Sequence, residues 1–175
     1  MDRLFALCGE LGFSHYGEVN TAALVFRQEV RDMCASGRCG SFGKCWTCPP
    51  YCGTLEEFSR RASAYERGVL VQTTAVLEDA FDGETMLAAG EAHKERFRAF
   101  VRRVRELFPD CWPMGAGACG LCPSCTCPDA PCRFPEEAIP SMEACGLLVS
   151  DVCAASGLGY YYGPETVTYT ACLLL

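Results

Sequence analysis

Histidine is scarce in this chain of 175 residues: only His15 and His93 occur. His15 has no ligand-spaced neighbour. His93 falls on the apolar face of a helical pattern, where a core or boundary histidine is expected. Histidine-based metal catalysis of the H-E-x-x-H type is therefore excluded. A P-loop, a complete Rossmann fingerprint and the nucleophile elbow G-x-S-x-G are missing as well. The C-x3-C-x2-C pattern of radical enzymes is absent, because no third cysteine follows Cys48-x3-Cys52 at the required place. Any chemistry must then be carried mostly by a metal centre. Basic residues are in deficit: 15 Lys and Arg stand against 22 Asp and Glu, a formal net charge of −7. That balance argues against nucleic-acid binding, which needs a basic face. No run of about 18 apolar residues exists, so no membrane span is expected. Met1-Asp2-Arg3 leads into an apolar stretch broken at Glu10, too short for a secretory signal, and the expected location is cytoplasmic. With half its residues hydrophobic, the chain is no disordered tail.

Cysteine is what the chain has in excess. Fifteen cysteines make up about 9 % of it, near the level at which cysteines staple or assemble a protein. The number is odd, so closed intramolecular disulfides leave one thiol over, and a reducing cytosol disfavours them. Metal binding or redox chemistry is the expected use. Cys34, Cys39, Cys45, Cys48 and Cys52 fall in one segment, and Cys119, Cys122, Cys125, Cys127 and Cys132 in a second. Cys8, Cys111, Cys145, Cys153 and Cys172 are scattered and read as small buried hydrophobes.

The second segment, GACGLCPSCTCPDAPCRFP, carries Cys119-x2-Cys122-x2-Cys125. This is the three-cysteine core of a cubane [4Fe–4S] site. Two-residue spacings let one tight loop wrap three corners, and Gly115, Gly117 and Gly120 keep the backbone close to them. The fourth corner falls to Cys132, which has the reach to fold back; Cys127, only one residue past the core, is its competitor. A tetrahedral zinc site is the alternative, although zinc sites usually pair two C-x2-C units across a longer loop. The first segment, CASGRCGSFGKCWTCPPYC, offers Cys34-x4-Cys39 and Cys45-x2-Cys48, a less diagnostic spacing for which zinc is a serious rival. Trp46 and Phe42 can shield a cluster from water. Lys44 and Arg133 can set positive charge beside an anionic cluster.

The remaining pattern alternates helices and strands. Helices are expected over 2–11, from Thr21 towards Met33, from the capping box Thr54-x-x-Glu57 to Gly68, over about 84–108, and from Ser141 to about Ser156. Strands are expected at 14–19, 69–77, 111–114 and 166–175. The fold class is α/β (α+β): one compact sheet with helices packed on it and two Cys-rich metal-binding loops, a single domain over 1–175. The long helix sets Lys94, Arg96, Arg98, Arg102, Arg103 and Arg105 opposite its apolar stripe, either a solvated face or a docking patch for an acidic partner.

Several motifs together resemble a family of small cysteine-rich proteins, mostly from anaerobic bacteria and archaea, described as predicted metal-binding proteins of unknown function. They are Cys34-x4-Cys39, Phe42-Gly43-Lys44-x-Trp46-x-Cys48-Pro49-Pro50, Cys119-x2-Cys122-x2-Cys125, Pro131-Cys132-Arg133-x-Pro135, Pro140-Ser141-Met142-Glu143-Ala144 and Thr166-Val167-Thr168-Tyr169. The resemblance implies Cys34, Cys39, Cys48, Cys119, Cys122, Cys125 and Cys132 as the recurrent metal ligands, with Cys45, Cys52 and Cys127 as extras. Three ligands then remain in the first segment, and the fourth is Cys45, Cys52, a distant residue such as Cys153, or none. The expected function is an iron–sulfur protein with one or two [4Fe–4S] clusters that transfers electrons to a redox partner protein or serves as a redox accessory subunit. The alternatives are a structural zinc scaffold, or an enzyme that takes a small-molecule ligand at an open iron site.

Overall fold

The computed structural model describes all residues, Met1–Leu175. Its centre is a four-stranded antiparallel sheet in the order β1-β2-β4-β3, from β1 (His15–Glu18), β2 (Gly68–Val76), β3 (Trp112–Met114) and β4 (Thr166–Leu174). β2 and β4 pair along their full length, from Gly68 opposite Leu174 to Val76 opposite Thr166. Strand alternation splits their side chains between two cores. On one face, Val69, Val71, Ala171 and Leu173 meet Leu4 and Cys8 of α1 (Asp2–Glu10). They also meet Phe97, Phe100, Val101 and Val104 of α4 (Gly83–Arg105). On the other face, Leu70, Cys172, Leu174, Trp112 and Met114 pack on α3 (Leu55–Ala62), α5 (Val149–Ala155) and Met142–Leu147. The chain is thus an α+β fold with one sheet covered on both faces. No helix is long and apolar enough to cross a membrane.

Local rules account for much of this. Thr54 and Glu57 form the reciprocal capping box that opens α3. Asp82 caps α4 through the Thr85 N–H. All five scattered cysteines are buried. Four expectations fail for tertiary reasons. A single 3-10 turn covers Thr21–Ala23, and α2 starts only at Gln28, running to Ala35. Extended Phe26 bridges Leu147 instead of joining the helix. Gly68 begins β2 rather than ending α3, and α4 stops at Arg105, leaving Leu107 and Phe108 exposed.

The fourth failure matters most. The helix expected from Ser141 exists only over Val149–Ala155, whereas 141–147 is a chain of turns. Gly146 lies at φ 95°, in the left-handed region. Its carbonyl accepts the Arg27 N–H at 2.8 Å. A Cβ there would collide with the Leu55 side chain and come within 3.1 Å of the Arg27 carbonyl oxygen. Gly146→Ala should therefore lower the unfolding free energy by about 2 kcal/mol or more in chemical denaturation. A Gly37→Ala control shares the positive φ but has open space around it, so it isolates the backbone term.

His93 is fully buried on α4, with Nδ1 3.0 Å from the Thr73 hydroxyl and Nε2 without a partner. Burial, then the nearby charges of Arg96 and Lys94, push its pKa down from 6.5 to about 4. The unfolded chain takes up this proton below 6.5 while the folded chain resists until about 4. Stability should therefore fall as pH drops through that window, by up to about 3 kcal/mol relative to His93→Phe. Parallel pH dependence in the two proteins would contradict this.

Candidate metal centre

Both cysteine segments are loops held by the same stretch of chain. Gly115, just after β3, pairs with Ser141: its N–H donates to the Pro140 carbonyl at 2.8 Å and its carbonyl accepts the Met142 N–H at 3.0 Å. That pinches 115–141 into a closed loop. The first loop, between α2 and α3, is tied from two sides. Arg31 of α2 donates to the Gly53 carbonyl at 2.7 Å, and the Cys52 thiol reaches the Ala144 carbonyl at 3.6 Å. The Trp46 indole N–H donates to the Ala130 carbonyl at 3.1 Å and joins the two loops directly.

Two cavities lined by thiols result. The first, of about 350 Å³, is bordered by Cys34, Cys39 and Cys48, with Phe42 and Glu143 on its wall. The second, of about 200 Å³, is bordered by Cys119, Cys122, Cys125, Cys132 and also Cys45, together with Lys44, Trp46 and Arg133. Ala118 borders both. The cysteines read from sequence as ligands thus sort into a set of three and a set of four. Cys132 borders the second cavity and Cys127 does not. Cys45 joins that wall although it reads from sequence as an extra; only the three-dimensional approach of the two loops reveals it.

The other candidates for the first site's missing donor point elsewhere. Cys52 faces Ala144 and Arg31. Cys153 lies in the core under the sheet, against Gln72 at 3.5 Å. Nowhere do three of the chain's Cys, His, Asp or Glu side chains converge tightly enough to grip one metal ion. The thiols surround space instead. The glycines Gly115-x-Gly117-x-x-Gly120 share the spacing of a dinucleotide-binding turn, but they open this cysteine loop rather than a helix.

The electrostatics suit a cationic metal core. Burial pushes Cys48 up to about 12, helped by the neighbouring Cys45 thiol. Burial also raises Cys34, with Cys39 and Glu143 adding to it and Arg31 opposing, and it raises Cys119. These thiols keep their protons until a metal displaces them. Cys125 differs. Burial raises it too, but hydrogen bonds from the Cys127 and Trp46 N–H groups, the Cys45 thiol and the Thr126 N–H together outweigh burial, and its pKa is lowered. Backbone N–H groups aimed at a sulfur are what a cluster-binding thiolate needs. Arg133 donates to the Ser124 carbonyl at 2.8 Å, which holds its charge at the cavity rim. The residues present therefore fit an anionic, thiolate-ligated metal group.

The model of one family, described as "Predicted metal-binding protein (DUF2284)", matches residues 17–175. No curated protein and no solved structure matches the chain.

Cys132→Ser should remove metal from the second site, while Cys127→Ser should leave the metal content unchanged. Elemental analysis of the two purified variants beside the parent protein checks this, and the reverse ranking would exchange the two assignments.

Proposed function

We propose, from the premise that the chain belongs to the DUF2284 family of predicted metal-binding proteins, that it binds two [4Fe–4S] clusters and works as an electron-transfer protein. The observation that carries this reading is the pair of thiol-lined cavities set side by side across Ala118. Cavities walled by three and five thiols match the shape of a multi-atom cluster better than that of a single zinc ion, which draws its four ligands onto one point. When bound, such clusters supply one-electron chemistry.

The chain's own residues supply the rest. The Cys45–Cys48 turn presents one thiol to each cavity, and the Cys48 N–H donates to the Cys45 carbonyl at 3.0 Å, which keeps the sites close. Lys44 and Arg133 set positive charge at the second cavity, and the N–H groups around Cys125 do the same at shorter range. Such groups favour the reduced, more negative state of a site and raise its potential. Trp46 screens the second cavity and Phe42 the first, limiting water.

The partner surface is the basic face of α4. Lys94 lies beside Gly117 and Gly120, and Arg98 borders the same stretch of the second loop, whereas Arg96 and Arg103 lie on the α1 side of the helix. Some of its charge is internally matched: Lys94 pairs with Glu91, Arg103 with Glu10, and Arg105 donates to the Glu136 carbonyl. An acidic redox partner docking here would approach the second site first.

Protein purified without air should carry iron and acid-labile sulfide. After reduction, its electron paramagnetic resonance spectrum should show the broadening of two interacting centres. Stoichiometric zinc without sulfide would contradict the reading.

A further inference from the structure

The first cavity has three thiols and lacks an evident fourth donor, while the second has one thiol to spare. Cys45 belongs to the second wall, and Cys52 is held by Arg31 and the Ala144 carbonyl. The wall of the first cavity includes Ser141, Glu143 and Ala144 beside Cys34, Cys39 and Cys48. Glu143 is the one metal-binding side chain that this segment presents. It is half-buried and takes part in none of the chain's four salt bridges, although Arg38 borders the same cavity. Its charge acts on the Cys34 thiol. Only the Ser141 hydroxyl and its own backbone N–H support the charge of this carboxylate, no basic side chain pairs with it, and a metal is the cation that this cavity's thiols are built to gather.

Resting on the reading of this cavity as a metal site, we propose that Glu143 is its fourth donor, so that Cys34, Cys39, Cys48 and the Glu143 carboxylate hold the metal group together. The backbone fixes this arrangement. The Ser141 hydroxyl accepts the Ala144 N–H at 3.1 Å, and the Met142 N–H is held by Gly115. Glu143 is therefore carried on a turn tied to the base of the second loop, and it faces the first. The carboxylate makes one corner of the first site chemically unlike the other three. A hard oxygen donor exchanges more readily than a thiolate on iron, so this is the corner at which an external ligand would enter.

The test uses the full chain reconstituted without air with isotopically enriched iron and sulfide. Parent protein, Glu143→Gln, Glu143→Ala and Glu143→Cys are compared by iron and sulfide content and by Mössbauer spectroscopy. The second cluster serves as the internal reference for folding. The expected result is that the Gln and Ala variants lose one iron, leaving a three-iron centre at the first site. The Cys variant should keep a complete cluster and lose the distinct subspectrum of its oxygen-ligated iron. Parent-like iron content and spectra in Glu143→Ala would overturn the assignment while leaving the iron–sulfur reading intact. Zinc without sulfide in the parent protein would instead overturn the iron–sulfur reading. The same variants then report on Glu143 through retained zinc: loss in Ala and recovery in Cys supports the assignment, and no change overturns it.

Discussion

The backbone hydrogen bonds of Pro140–Leu147 hold the two cysteine loops against the sheet and against each other. At one end, Pro140 and Met142 close the second loop on Gly115. At the other, the Gly146 carbonyl accepts from Arg27, just ahead of the helix that delivers Cys34. In between, Ala144 receives the Cys52 thiol of the first loop, and Ser141 and Glu143 line the first cavity. A continuous helix here would have used the same N–H and carbonyl groups internally. The left-handed Gly146 prevents that and releases the segment for pairing with three other parts of the chain.

With the loops fixed in this way, the electrostatic problem of gathering seven cysteines becomes tractable. Thiolates crowded together without metal repel one another, and burial penalises each of them. In the metal-free chain the half-buried Cys34 and Cys119 and the buried Cys48 have raised pKa values, so the charge is not expressed. Metal binding then becomes part of folding energy for these loops, while the two-faced core of β2, β4, α1 and α4 forms from ordinary apolar burial. The division explains why glycine and proline are tolerated so densely in the loops. Their order rests on ties to the scaffold and on the metal, not on a core of their own.

What the sequence made legible was what is local. The Thr54–Glu57 capping box, the β-branched run of β2 and the terminal strand β4 need only neighbouring residues, and they appear where expected. The C-x2-C-x2-C core likewise encodes a loop able to wrap one centre, and its three cysteines do border one cavity. Reach favours Cys132 over Cys127 in the sequence, and Cys132 is the one of the two that borders the second cavity. What stayed hidden depends on contacts between distant segments. Phe26 and Leu147 pair, so neither neighbouring helix extends as its periodicity implies. Cys45 reads as an extra until the Trp46–Ala130 hydrogen bond brings its loop to the second cavity. Glu143, inside a motif that reads as a helix start, becomes a donor candidate only when the fold sets it on the wall of the cavity that Cys34 also lines.

The central claim is that the two thiol-lined cavities each receive an iron–sulfur cluster. Anomalous diffraction at the iron edge, from crystals of protein purified and grown without air, tests it most directly. The account predicts two compact iron peaks, one between Cys34, Cys39 and Cys48 and the other among Cys119, Cys122, Cys125 and Cys132. Single zinc ions at these positions, or cavities free of metal in protein that carries iron elsewhere, would contradict it.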